Sequence, residues 1–297
     1  MIVRLRSGCF VAAAAMCCLW LSSTAAKAGE QVWLTDYAQA VKTAKAEQKM
    51  LLILFHEPGE NRPLQAFDEK TLTDEGVRQR LGNYVLARLS TDARAEIGKD
   101  EQREEIVVFK HPAFQFMEGR QGLTIIDYAH KGHEHFGHVV SAFPFPQGKY
   151  FTARKTSVIL DLPPGTLTQR TLIYAVRMHP EAPQSTTGEL SPVLALSAES
   201  HSRYQAEIQV QGHHNWDSRF HLINSQLPAG MASTEVCAES WPGEGLVEAA
   251  EDCVQSWRQS SGHWSQVSGR HRLFGYDMKR GRNGIWYATG IFGGLFR

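Results

Sequence analysis

One uninterrupted apolar run, MLLILF from Met50 to Phe55, places the strongest constraint on how this chain can fold. A strand without alternating polar residues is buried on both faces, which is typical of a sheet with helices on both sides. A helical pattern at Trp33–Lys49 precedes the run, another at residues 63–81 follows it, and Tyr84–Leu89 has the composition of a second strand. This order of elements predicts an α/β fold.

The loop after the apolar run, FHEPGENRP at residues 55–63, and Pro112 further along the chain carry a family resemblance. With the order helix, strand, helix, strand, residues 31–160 resemble the thioredoxin fold. The resemblance places Pro112 at the family's cis-proline, although a trans-proline at the start of a strand is the alternative. Glu60-Asn61-Arg62-Pro63 stands where the family has Cys-x-x-Cys. Thiolate exchange needs a sulfur nucleophile, so the resemblance implies a redox-inactive domain.

Two shorter patterns complete the first half of the chain. Residues 113–117 and 123–127 have the composition of a strand pair, and TSVILDL at residues 156–162 is a candidate last strand. Prolines punctuate the stretch that follows, which predicts a domain boundary near Gly165. We therefore expect a thioredoxin-like domain at residues 29–165 and a second domain at 166–297.

The N-terminal residues have the pattern of a targeting segment. Arg4 and Arg6 precede an apolar run at residues 8–21, and Ala26-Lys27-Ala28 matches the small-residue pattern before a cleavage site. We expect residues 1–28 to be a signal peptide and the protein to be secreted or periplasmic; an N-terminal membrane anchor is the alternative. The remaining chain has 28 basic and 31 acidic residues, a formal charge of about −3 that argues against a nucleic-acid partner.

Only two cysteines, Cys237 and Cys253, lie outside this N-terminal segment. In an exported chain they are expected to form one disulfide, and a pair of buried free thiols is the alternative. A separate histidine cluster, AHKGHEHFGH, contains His130, His133, His135 and His138. In an extended segment, His133 and His135 would share one face and could chelate a divalent metal. A solvated histidine-rich turn is the alternative.

The second half combines helical patterns with a terminal hairpin. Helices are expected at Thr168–Met178, at residues 191–211 and at residues 246–259, and strands at Arg272–Met278 and Gly284–Phe292. The motif WRQSSGH, from Trp257 to His263, joins the last helix to the hairpin. Together these features resemble the CAP superfamily, also called the SCP domain, over residues 168–294. The resemblance implies an α-β-α sandwich.

The family's cavity contains two histidines and two glutamates, which can be matched one at a time. His263 matches the histidine of the Gly-His element, Glu235 matches one glutamate, and His213 best matches the earlier histidine, with His214 as the second choice. The other glutamate is missing, since Gln259 or Ser260 occupies that region. Neutral imidazoles of His213 and His263 could bind Zn²⁺, with a carboxylate as base or ligand; alternatively, these polar groups only hydrogen-bond one another.

These patterns favour an exported protein with a binding role over an enzyme. The CAP resemblance implies a lipid, a glycan or another protein as ligand, and no transmembrane segment is expected after processing. A metal-dependent hydrolase that uses His213, Glu235 and His263 is the alternative function.

Overall fold

The computed structural model describes residues 31–97 and 104–295. The predicted signal segment at residues 1–28, and with it the alternative membrane anchor, lies outside the described residues. Within these two ranges, no helix is both long enough and apolar enough to cross a bilayer.

The first half of the described chain alternates strands and helices. Its elements are β1 (Trp33–Leu34), α1 (Tyr37–Glu47), β2 (Met50–His56), α2 (Arg62–Lys70), α3 (Glu75–Leu81), β3 (Tyr84–Ser90), β4 (Arg94–Ile97), β5 (Glu104–Val107), β6 (Gly122–Ile126), β7 (Val139–Pro144) and α4 (Ala153–Leu160).

The first sheet has the strand order β1-β3-β2-β6-β7. The strands β1, β3 and β2 run parallel, whereas β6 and β7 are antiparallel to their neighbours. This order and these directions are those of the thioredoxin fold. The apolar run forms the central strand β2, and Leu51 to Phe55 are fully buried because helices cover both faces. The predicted α/β class is confirmed.

Three predicted elements of this half were wrong. The first helix begins at Tyr37 and not at Trp33, because Asp36 accepts a hydrogen bond from the Gln39 N–H and so caps it, while Trp33 pairs with β3. Residues 112–117 form a 3₁₀ helix instead of a strand, and β6 pairs with β7. The candidate last strand TSVILDL lies mostly in α4, which Thr152 caps.

Pro112 does not occupy the cis-proline position that the resemblance implied. Among the described residues no peptide bond is cis, and Pro112 begins the 3₁₀ helix. The residue that faces the start of α2 is Gln121, directly before β6. Its side-chain amide donates to Asn61 Oδ1 over 3.0 Å, and the Asn61 amide donates back to Gln121 Oε1. Asn61 also caps α2, so an amide pair joins the segment that matches the family's Cys-x-x-Cys to the residue before β6.

The second half contains a second sheet and most of the long helices. Its elements are α5 (Leu167–Met178), β8 (Glu189–Leu190), α6 (Pro192–Ile208), α7 (Trp216–Asn224), β9 (Met231–Glu239), α8 (Leu246–Gln259), α9 (Ser261–Ser268), β10 (Leu273–Arg280) and β11 (Trp286–Leu295). The terminal hairpin of β10 and β11 agrees with the predicted strand pair within a few residues.

This second sheet has the order β8-β10-β11-β9 and is covered on both faces. Helix α6 contacts β10 and β11 on one face, and α5 and α8 pack on the other, which gives three α/β/α layers. The approach of α6 is close at Gly275, where an added Cβ would lie 2.3 Å from the backbone nitrogen of Ala195. Only glycine fits at this crossing.

Successive side chains of β9 point to opposite faces of the sheet, and the two faces differ in chemistry. Val236 and Ala238 belong to the main apolar core with α8, whereas Glu235 and Cys237 point to the α6 side. Cys253 on α8 belongs to the same core as Val236 and Ala238. The predicted disulfide between Cys237 and Cys253 was therefore wrong: both are buried free thiols, because they lie on opposite faces of the sheet.

A continuous apolar core runs from β2 in the first half to β11 in the second. Arg170 on α5 is fully buried beside it. Its guanidinium donates to Ser141 Oγ on β7 over 2.9 Å and to the carbonyls of Leu162 and Pro163. These hydrogen bonds provide acceptors for most of the buried guanidinium, and they fix α5 against the first sheet. The domain boundary near Gly165 stays a prediction.

Candidate functional site

Three distant residues meet at the α6 side of the second sheet. His213 lies in the loop between α6 and α7, Glu235 lies on β9, and His263 lies near the start of α9. His213 Nδ1 is 3.0 Å from Glu235 Oε1, and His213 Nε2 is 3.2 Å from His263 Nε2. The structure thus brings together the three residues that the sequence assigned to one cavity.

The loop that carries His213 is tied to α6 by two buried side chains. His201 Nε2 lies 2.9 Å from the carbonyl oxygen of Gly212 and donates to it, and the Gly212 N–H donates to Gln205 Oε1 over 3.0 Å. Burial lowers the pKa of His201, although the charge of Glu235 partly opposes this. His201 is therefore a neutral donor that holds the loop in position.

Glu235 is a buried, fully paired carboxylate. Its side chain is 1% exposed, and Arg219 on α7 donates to both of its oxygens. Burial raises the pKa of Glu235, but hydrogen bonds from His213 and Arg219 outweigh burial and hold it below the usual value. Arg219 also lies over the Trp216 ring, 5.3 Å from its centroid, and donates to the His214 carbonyl. Glu235 is thus ionised and held in one orientation.

The carboxylate of Glu235 determines the tautomer of His213. Since an ionised carboxylate can only accept, His213 Nδ1 donates to it, and the lone pair of His213 Nε2 then points towards His263. Burial, followed by the proximity of His213, lowers the pKa of His263. Both imidazoles are reachable from solvent, because the His213 side chain is 42% exposed and His263 is half-buried.

Cys237 extends the site below His213. Its sulfur lies 3.7 Å from His213 Nδ1. Burial and the negative charge of Glu235 raise the pKa of this thiol well above its usual value. The thiol is therefore protonated, and it is a poor nucleophile.

Two further residues proposed from the sequence do not join this group. The ring of His214 packs against Tyr204, and its Nε2 lies 3.1 Å from the Val210 carbonyl oxygen. Gln259 is exposed at the end of α8, where it lines a separate cavity of about 280 Å³ with Glu239 and Trp241. His213, and not His214, is the histidine that faces His263.

Sequence reasoning missed two members of the site. His201 was placed only in a helical pattern, where a single histidine carries no signal of its partner. Arg219 had a weak signal, since it follows His213 by six residues at the start of a helix. The charge of Glu235 was a stronger signal for a residue such as Arg219, because a buried carboxylate needs a positive or hydrogen-bonding partner.

The donor chemistry fits a divalent cation of the zinc class. Zinc binds imidazole nitrogen at about 2.0–2.1 Å, so two ligands of a tetrahedral ion lie about 3.3 Å apart. The 3.2 Å between the two Nε2 atoms is close to that separation. A carboxylate on the other nitrogen of His213 is the usual outer partner of a metal-binding histidine.

Comparisons with known proteins give only distant likeness. No protein-family model matches the chain, and no curated protein matches it. An outer surface protein of Borrelia burgdorferi shares 16% identity, with a TM-score of 0.30 over 37% of this chain and 78% of that one. A thioredoxin of Thermus thermophilus shares 21% identity, with a TM-score of 0.20 over 26% of this chain and 73% of that one.

Proposed function

We propose that this is an exported, non-catalytic binding protein whose C-terminal half is a CAP-like sandwich. Export rests on the signal-like pattern of residues 1–28. The CAP-like assignment rests on the WRQSSGH motif, on the three-layer arrangement and on the meeting of His213, Glu235 and His263.

The pairing of Glu235 with Arg219 favours binding over hydrolysis. A general base must have a free lone pair within reach of the water that it activates. Both oxygens of Glu235 accept from Arg219, one of them also accepts from His213, and the pKa lies below the ordinary value. This carboxylate is suited to orienting His213 and is a weak proton acceptor.

The ligand of the site is a divalent cation of the zinc class, held by His213 and His263. Two protein nitrogens leave coordination positions open at a surface that solvent reaches. A carboxylate, phosphate or hydroxyl group from a lipid, a glycan or another protein would complete the coordination. The loop that presents His213 is fixed by His201, so the imidazole is oriented before the ligand binds.

Calorimetric titration of the chain from residue 29 onward with Zn²⁺ tests the proposal. The variant His213→Ala/His263→Ala is expected to bind one zinc ion fewer per chain than wild type. His214→Ala is the matched control, because that ring faces Tyr204, and it should bind as wild type does. Equal stoichiometry in the double variant and in wild type would overturn the proposal. Zinc-dependent ester or amide hydrolysis that disappears in Glu235→Gln would favour the hydrolase.

A further inference from the structure

A second group of metal-binding side chains lies far along the chain from His213, in the connection between β6 and β7. Residues 127–138 fold back so that Asp127, His130 and His135 approach one another. Their donor atoms all lie within 4.8 Å of each other. The proposed binding function uses none of these residues.

Asp127 is the centre of this group. Its side chain is fully buried, and Oδ1 accepts the backbone N–H groups of Ala129 and His130 over 2.8 and 3.0 Å. The other oxygen, Oδ2, lies 2.9 Å from His130 Nδ1 and 3.2 Å from His135 Nε2. One oxygen is thus held by the backbone, and the other is directed at two imidazoles.

His135 has a buried nitrogen without a hydrogen-bond partner. Its side chain is 10% exposed, and Nε2 is shielded from solvent although no hydrogen bond of acceptable geometry forms. An unpaired buried polar atom is costly, and such atoms often mark a missing ion or water.

We propose that Asp127, His130 and His135 bind a divalent transition metal of the zinc class. A carboxylate oxygen and two imidazole nitrogens are a common ligand set for such ions. Their separations from Oδ2, 2.9 and 3.2 Å, are close to the ~3.3 Å between ligands of a tetrahedral zinc ion. The metal would also bind the unpaired nitrogen of His135.

His133 lies next to this set, outside the three side chains whose donor atoms lie within 4.8 Å of one another. Its ring centroid lies 5.2 Å from that of His135 and 6.0 Å from that of His130, and its side chain is exposed. Gly132 and Gly137 have φ values of +95° and +80°, which let the segment turn and bring the imidazoles together.

Backbone hydrogen bonds hold the segment around Asp127 in place without a metal. The Asp127 N–H donates to the His138 carbonyl, and the Gly137 N–H donates to the Asp127 carbonyl over 2.6 Å. These bonds and those to Oδ1 act as an outer shell that orients the carboxylate. Metal binding would therefore lock residues 127–138 and stabilise the folded chain.

The test separates this site from that of His213 by working in the His213→Ala/His263→Ala background. With Zn²⁺ as the probe, calorimetry is expected to give one zinc ion per chain. Co²⁺ as a second probe should give the intense visible absorption of tetrahedral coordination. Adding His130→Ala, whose side chain is 31% exposed, should weaken zinc binding at least tenfold, and Asp127→Asn should do so while keeping the shape of the side chain.

His138→Ala is the matched control, since its exposed side chain is in the same segment but outside the ligand set. It should bind zinc as the background variant does. The proposal is overturned if the background variant binds no zinc, or if His130→Ala and His138→Ala bind it equally well. Failure at His213 with zinc retained here would reject the proposed function and leave this inference standing.

Discussion

Arg219 donates to both carboxylate oxygens of Glu235, and Glu235 in turn orients His213. The arginine comes from α7 and the glutamate from β9, so the pair also fixes this helix against the sheet. This contact determines the chemical role of Glu235. A carboxylate whose two oxygens both accept hydrogen bonds from a cation is a weak proton acceptor, and it serves mainly to orient its partners.

Removing Arg219 should destabilise the fold strongly. Arg219→Ala leaves the buried carboxylate of Glu235 without its cationic partner, and we expect a loss of about 3 kcal/mol in the free energy of unfolding at pH 7. Urea denaturation measures it. Arg203→Ala is the control, because 61% of its side chain is exposed and its partner Glu199 keeps a second ion pair with Lys279. That variant should lose at most about 0.5 kcal/mol. Equal losses would contradict the buried-pair interpretation.

The contribution of the buried histidines to the stability of the fold should fall as the pH decreases from about 7 to 5. Four imidazoles have pKa values that burial lowers in the folded state: His135, His201, His263 and His271. In this window each of these four side chains binds more protons in the unfolded chain than in the folded chain, since a free imidazole has a pKa near 6.5. Burial raises the pKa of the Glu244 carboxyl to about 7, and this group contributes with the opposite sign. The histidine contribution to the free energy of unfolding therefore rises with pH.

Urea denaturation across this pH range, for wild type and His201→Gln, measures the effect. The variant removes one of the four groups, so its slope should be shallower than that of wild type. Above about pH 8 the curve should flatten for these groups, because imidazoles are then neutral in both states. A slope in His201→Gln that equals or exceeds that of wild type between pH 5 and 7 would show that His201 is not held neutral.

Both cysteines of the chain from residue 29 onward should titrate as thiols. Cys237 and Cys253 are buried, and burial raises the pKa of each. A disulfide-exchange reagent at pH 8 should react slowly with the folded protein and should then release two equivalents in guanidinium. Release of none in guanidinium would mean that the two sulfurs are joined, which would require Cys237 to leave its face of β9.

Gly275→Ala should be among the most destabilising single changes in β10. The added Cβ would lie 2.3 Å from Leu194 C and Ala195 N, both backbone atoms of α6, so that the helix must move away from the sheet. We expect a loss of about 3 kcal/mol in thermal or urea unfolding. Gly294→Ala on β11 is the control, because no atom lies within 4 Å of its added Cβ. A similar loss in both variants would exclude the close approach as the cause.

The elements that the sequence predicted best are those with an unambiguous apolar pattern. Met50–Phe55 lies between a helical pattern and a loop that contains Pro58 and Gly59, which favours a buried strand. The terminal hairpin alternates with a turn between its strands. The 3₁₀ helix at Pro112 and the helix α4 were harder to recognise, because short apolar runs fit a strand and a helix equally well.

The sequence predicted those site residues that belong to a recognisable motif. It did not predict residues whose hydrogen-bond partners are brought near only by the fold. His213 and His263 came from the resemblance to a family. His201 and Arg219 act through Gly212 and Glu235, and such contacts between separate elements leave no periodic trace in the chain. The disulfide prediction failed because the spacing of two cysteines does not tell which face of a strand each one occupies.

The alternation along β9 makes the register of this strand unusually sensitive. A slip of one residue against β11 would turn the charged Glu235 towards the aliphatic packing under α8 and send Val236 to meet Arg219. Such a slip would cost free energy at both residues, so the ion pair of Glu235 and the apolar packing of Val236 favour the same register. A chain in which β9 pairs with β11 in the wrong register would lose both the contact between His213 and His263 and the stability of its fold.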